Sequence, residues 1–210
     1  LGAVGGHGMR SILTFHMVSQ VGYLVLPLGL WTRAAIAAGI FYLLQYVAVK
    51  GALLLTAAAV DRLEGSDELA DLGGLMRSRF WLGIAFLLPA LALAGIPPTS
   101  GFVGKFLLVR AAFEAGSFWA GATAIAVSLL TLLSMIKIFN GAFWGERPDV
   151  APPTRPAPST LRTRVMVGLP LAVGVATIVL GIGASGLLTL AGTAADVLVD
   201  PTAYLTAVSR

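Results

Sequence analysis

The sequence predicts an all-α fold, a polytopic bundle of about six transmembrane helices with one interruption near Pro97-Pro98. Three observations predict it. Of the 210 residues, 57% are hydrophobic and only 11% charged, whereas a soluble domain carries about 25% charged residues. Apolar runs of about 20 residues, the length that spans a bilayer as helix, recur along the chain. Between two of these runs lies a further apolar region broken by "GIPPTSG", residues 95–101. Proline donates no backbone N–H and drives the preceding residue out of helical conformation, so a helix ends near Ile96.

The elements follow in order. The opening "LGAVGGHGMRS" reads as a loop into a first helix over 11–31, and a second apolar run covers 34–60. No basic, apolar and cleavage-site pattern marks a signal peptide, and the chain reads as a C-terminal piece of a longer protein, 1–210 forming a single membrane domain. The hydrophilic connector 61–79 holds half of the acidic residues and is expected to form a short amphipathic surface helix ending at Gly73-Gly74. Short helices over 80–96 and 102–116 flank the proline pair, and longer ones cover 122–144 and 165–190. The proline-rich stretch 145–164 is an exposed connector, and 191–210 is a polar tail. With all six helices crossing, Arg10, Arg62, Arg77 and Arg79 fall on one face, and Arg33, Arg147, Arg155, Arg162 and Arg164 on the other. That tally does not set the orientation.

Composition removes several function classes. The chain has no cysteine, which excludes thiolate metal sites, disulfides and redox-active thiols. His7 and His16 stand apart without acidic neighbours, so no metal site is expected. No nucleophile triad or phosphate loop is present, so neither covalent catalysis nor a cofactor is expected. The net charge of +4 suits basic membrane loops, and the expected partner is the lipid bilayer, not nucleic acid.

The basic residues divide by type. All three lysines, Lys50, Lys105 and Lys137, fall inside apolar segments, whereas ten of the eleven arginines lie in loops or at segment ends. Arginine stays protonated, but a lysine in low dielectric can release its proton near neutral pH. Ionisable groups at membrane depth are costly and mark ion paths. The bland alternative is snorkelling to the interface or a static carboxylate pair. Snorkelling suits Lys137 best, since the end of its run at Trp144 is near, and suits Lys50 least.

Polar neighbours extend the pattern. His16, Gln20 and Tyr23 share one face of the first helix, Gln45 and Tyr46 precede Lys50 by about a turn, and Ser134 and Asn140 flank Lys137. Ordinary interhelical hydrogen bonding explains any one of them; together with three lysines they read as a hydrated polar track. Arg110 and Glu114 are spaced for a local ion pair, with a relay carboxylate as the other reading of Glu114. An interrupted helix leaves backbone groups that only protein or water can satisfy, so such breaks border cavities and ion sites. The break formed by Pro97, Pro98, Gly101 and Gly104 therefore brings Lys105 into the candidate site.

Taken in sequence, "RSILTFHMVSQVGYLVLPLGL", "FYLLQYVAVKGALLL", "GIPPTSGFVGKFLLVRAAFEAG" and "VSLLTLLSMIKIFNGAFWGE" resemble the later helices of the antiporter-like proton-translocating membrane subunits. That superfamily includes the membrane-arm subunits of respiratory complex I and the large subunits of Mrp-type sodium/proton antiporters. "TFHMVSQVGY", "LLSMIKIF" and "DPTAYLTAV" look most like the D-subunit branch of the Mrp antiporters. The resemblance implies that the six helices are the last six of about fourteen, in a multisubunit complex of the bacterial cell membrane exchanging sodium for protons. It implies that Lys105 is the key ionisable residue of the broken helix and that Lys50 and Lys137 are the lysines of neighbouring helices. One departure is Gln45-Tyr46, where many members carry a histidine. Two other readings stand beside it: a membrane subunit of complex I or a related hydrogenase, and a structural scaffold whose lysines are statically paired.

Overall fold

A computed structural model describes residues 5–146, Asp149, 160–200 and Thr202. Helix α1 (Met9–Leu30) ends where Trp31 turns to φ 47°, and Thr32 caps α2 (Arg33–Glu64) by accepting from the Ala35 amide at 3.2 Å. Gly65, at φ 84°, stops α2. The connector then turns through Gly74 into a four-residue helix, α3 (Leu75–Ser78). That short helix follows Gly73-Gly74, where the sequence pattern had one ending there, because Gly74 at φ 64° supplies its N-terminal turn. Helices α4 (Phe80–Ala94) and α5 (Ser100–Glu114) flank the proline pair, whose Pro97-Pro98 peptide is cis. Helix α6 (Phe118–Ile138) continues as a wider π-helical turn, Phe139–Trp144. Helices α7 (Thr160–Ile182) and α8 (Ala184–Val199) complete the described chain.

Among the described residues, four helical stretches, Met9–Leu30, Arg33–Glu64, Phe118–Trp144 and Leu161–Ile182, are long and apolar enough to cross a membrane. Helices α4 and α5, with 15 residues each, reach only about 22 Å, short of the ~30 Å hydrocarbon core. Their neighbours show how they are arranged. Along α6, Phe143 stacks on Phe86 of α4, Ser128 reaches Ala94 at the break, and Gly121 abuts Phe113 of α5. The climb from Phe143 to Gly121 is about 33 Å of helix, one hydrocarbon thickness. Along α2, Thr56 reaches the Ala85 carbonyl while Phe41 and Tyr42 face Gly104. Hence α4, the break and α5 lie end to end and form one crossing, antiparallel to α2 and α6.

The same reasoning places α7 and α8. Gly174 fits against Leu88 and Pro89, and Gly181 against Pro98, Thr99 and Ser100, so α7 reaches the break near its end. Helix α8 then runs on to Arg33, which binds Asp196 through its Nε and, at 2.9 Å, its Nη2. Two sequence expectations are corrected here. The run 165–190 is not one helix, because Gly183 interrupts it, and residues 191–199 are helix where a polar tail was expected. The rest of that tail beyond Asp200, apart from Thr202, and most of the connector 145–164 lie outside the described residues.

Counting α4 and α5 as one crossing also corrects the arginine tally. Arg10 binds Asp61, Arg79 binds Glu64, and Thr163 lines a cleft with Leu63 and Arg79. Arg10, Arg62, Arg77, Arg79, Arg162 and Arg164 therefore gather at one end of the bundle, the basic end. Arg33 and Arg110 lie at the other, and Arg147 and Arg155 are outside the described residues. The core between the ends is built on Met9, Ile12, Leu13, Tyr42, Leu53, Phe86 and Phe143. Val18, Val47, Leu129, Leu133 and Val179 point outward, the pattern expected of a surface solvated by hydrocarbon.

Candidate functional site

In a continuous helix the amides of residues 97 and 98 would bond the carbonyls of Leu93 and Ala94. Both are proline and have no N–H, so those two carbonyls lose their helical donors. Gly95, at φ 84°, ends α4, and the Gly95 and Ile96 amides satisfy Leu91 and Ala92. Lys105 supplies the remainder: its Nζ donates to the Leu93 carbonyl at 2.7 Å and lies 3.5 Å from that of Ala94, which Ser128 also approaches at 3.4 Å. The ammonium thus sits at the negative end of the α4 dipole and 4.9 Å from the Tyr23 ring centroid. Lys105 is 5% exposed.

Small residues make this geometry possible. A Cβ on Gly95 would meet Lys105 Cδ at 3.0 Å, one on Gly101 would strike the Ala92 carbonyl, and one on Gly104 would meet Tyr42 Cδ2 at 3.1 Å. Pro97 and Pro98 themselves are exposed, and Thr99 caps α5, accepting from the Phe102 amide and donating to the Ile96 carbonyl at 2.7 Å.

From Lys105 a buried polar line follows α1 toward the basic end. Tyr23 donates to the Ala124 carbonyl and lies beside Tyr42, which stacks on Tyr46. Tyr42 donates to Gln20 Oε1, and Gln20 Nε2 reaches Thr131 Oγ1 at 3.3 Å. One turn on, His16 is buried with neither ring nitrogen hydrogen-bonded. Lys50, 3% exposed, donates to the Leu13 carbonyl, and Lys137 donates to the Gly6 carbonyl at 2.7 Å. Tyr23 to Leu13 is about 15 Å of helix rise, which separates the Lys105 and Lys50 levels. On the other side of Tyr23, an open groove of ≈ 600 Å³ between α1 and α6 runs past Gly22 and Thr123 to Gly29 and Ser117.

The structure thus brings Lys105, Lys50, His16, Gln20, Tyr23 and Tyr46 onto one line and leaves other sequence candidates off it. Gln45 faces a separate cavity with Ser100, on the side of α7 and α8. Asn140 is exposed on an outer face, and Ser134, though buried, bonds its own helix at Leu130. Arg110 and Glu114 pair at 2.7 Å on the exposed surface, away from the line. Sequence reasoning missed Tyr42, Thr131 and Ser128. The spacing 128, 131, 134, 137 marks one face of α6 and carried that signal, as the spacing 42, 46, 50 does on α2.

The family described as NADH:quinone oxidoreductase/Mrp antiporter, TM, matches residues 1–133. The chain belongs to this family. Among curated members of the NADH:quinone oxidoreductase/Mrp antiporter family, it is 42% identical over 214 residues to the D subunit of the Na(+)/H(+) antiporter of Alkalihalophilus pseudofirmus. It is 32% identical over 210 residues to the protein of the same name from Bacillus subtilis. Both alignments cover all of this chain and 42% of the relative, so the chain spans about two fifths of their length. Among solved structures, a chain of the Mrp complex from Dietzia sp. DQ12-45-1b superposes with a TM-score of 0.89 at 39% identity, covering 99% of this chain and 46% of that one. A chain of respiratory complex I from Thermus thermophilus gives 0.76 at 26% identity, covering 93% and 41%. The resemblance read from the motifs is thereby borne out at the level of family.

Proposed function

We propose that this chain is a proton-translocating part of a multisubunit sodium/proton antiporter, an ion transporter with no covalent chemistry of its own. Lys105 loads and releases the proton, and Lys50, Lys137 and intervening water carry it toward the basic end. One observation carries the reading: the Lys105 ammonium is held by backbone carbonyls released at a helix break, with no carboxylate among the described residues bonded to it to fix its charge. A carbonyl cage tolerates proton loss far better than an ion pair, because no buried anion is stranded when the charge leaves. The same geometry counts against a static scaffold, since Glu114 is taken by Arg110. The higher identity to the antiporter relatives favours sodium/proton exchange over the complex I reading.

The protein would sit in the bacterial cell membrane beside other membrane subunits of one complex. The arginine-rich end would face the cytoplasm, as Lys and Arg in short loops favour that side. The test is sodium-dependent proton exchange in inverted vesicles holding the intact complex, with Lys105→Ala and Lys105→Arg at matched protein level. Loss in both variants with assembly intact supports a titrating carrier. Exchange retained in Lys105→Arg refutes it, because a fixed charge would then suffice. Co-purification with iron-sulfur and flavin subunits would favour the complex I reading instead.

A further inference from the structure

A second polar site lies on the opposite side of the break from the lysine line. Gln45 is 4% exposed and neither its carboxamide nitrogen nor its oxygen has a hydrogen-bond partner; Ser100 is fully buried and its hydroxyl is equally unpaired. Both line the inner wall of one half-open cleft of ≈ 280 Å³, whose other side is formed by Val173, Thr177, Leu180 and Leu187 of α7 and α8 and whose mouth lies at the exposed Leu44 and Ala176. The register explains the pairing. Gly104 lets α5 approach Phe41 and Tyr42 closely, and Ser100 and Gln45 each lie one turn from those contacts, on facing helices. Thr177 does not serve them, since its hydroxyl donates to Gly174 of its own helix.

We propose that Gln45 and Ser100 hold ordered water in this cavity. Buried polar atoms without protein partners, beside a void, are where internal water resides, and a water takes about 30 Å³, so the cavity has room for several. Thr177 and the Gly174 carbonyl it engages leave the rest of the wall apolar, which confines the water to the Gln45 and Ser100 ends. The break would then be hydrated from the α7 and α8 face, behind Tyr42. The assignment does not require the transport reading.

The experiment is a density map of the assembled complex, at a resolution showing ordered water, for the native protein and for a Gln45→Met, Ser100→Ala double variant. Water peaks within hydrogen-bond distance of both side chains, lost in the variant while the helices stay in place, are expected. An acyl chain, a partner's polar group or an empty cavity beside native Gln45 would overturn the proposal. If the double variant does not assemble, the native map alone decides. Because hydration is read without any transport assay, its failure and the failure of the Lys105 reading are separate results.

Discussion

Gly95→Ala tests whether the position of Lys105 against the end of α4 matters, provided a matched control removes the backbone effect. Gly95 and Gly116 both sit in the left-handed region, at φ 84° and 73°. Placing a Cβ there costs about 1–2 kcal/mol at either site. The surroundings differ: a Cβ at residue 95 would press on Lys105 Cδ at 3.0 Å, whereas at residue 116 nothing lies within 4 Å. Pushing the Lys105 chain aside lengthens a charged hydrogen bond worth about 1.5–3 kcal/mol. Losing half of one such bond corresponds to about three- to tenfold in a rate or equilibrium that depends on it. The assay is thermal unfolding of the purified complex together with sodium-dependent proton exchange in vesicles. Both variants should lose stability, Gly95→Ala somewhat more, and only Gly95→Ala should lose about three- to tenfold in exchange. Equal loss of exchange in Gly116→Ala would trace the effect to stability; undiminished exchange in Gly95→Ala would show that the carbonyl cage does not govern Lys105.

Two further outcomes follow from the same geometry. Tyr42→Phe removes the donor to Gln20 Oε1 inside the core, and thermal unfolding should register a loss of about 1–3 kcal/mol, the cost of an unsatisfied buried acceptor. Glu114→Gln, by contrast, breaks an exposed i,i+4 pair worth about 0.3–0.5 kcal/mol; exchange at matched protein level should be unchanged, and a clear loss would restore Glu114 as a relay carboxylate.

What could be read from the sequence and what could not divide along a physical line. Lys50 and Lys105 stand out because a charge inside an apolar run has no local explanation, and the proline pair stands out because missing N–H groups are a property of the chain itself. His16, Gln20 and Tyr23 were legible for a related reason, since one helix face follows from spacing alone. Which neighbour that face meets does not. Gln45 and Tyr46 are adjacent, yet about 100° of helix rotation sends one to the α7 and α8 cavity and the other to the lysine line. The interruption at Gly183 likewise carries no proline to announce it, and α4 and α5 count as two helices until α2 and α6 are seen to run past both.

The break explains why its sequence has the composition it does. Prolines at 97 and 98 free the two carbonyls that Lys105 occupies, and glycines at 95, 101 and 104 are the positions where a Cβ would displace the lysine, the end of α4 or Tyr42. Each part is therefore required by the next: remove the prolines and the carbonyls return to the helix, remove the glycines and the lysine cannot reach them. A lysine bound this way needs no buried anion, so its charge can leave without breaking an ion pair. That is the property a membrane-embedded proton carrier requires, and it comes from backbone placement more than from any acidic partner.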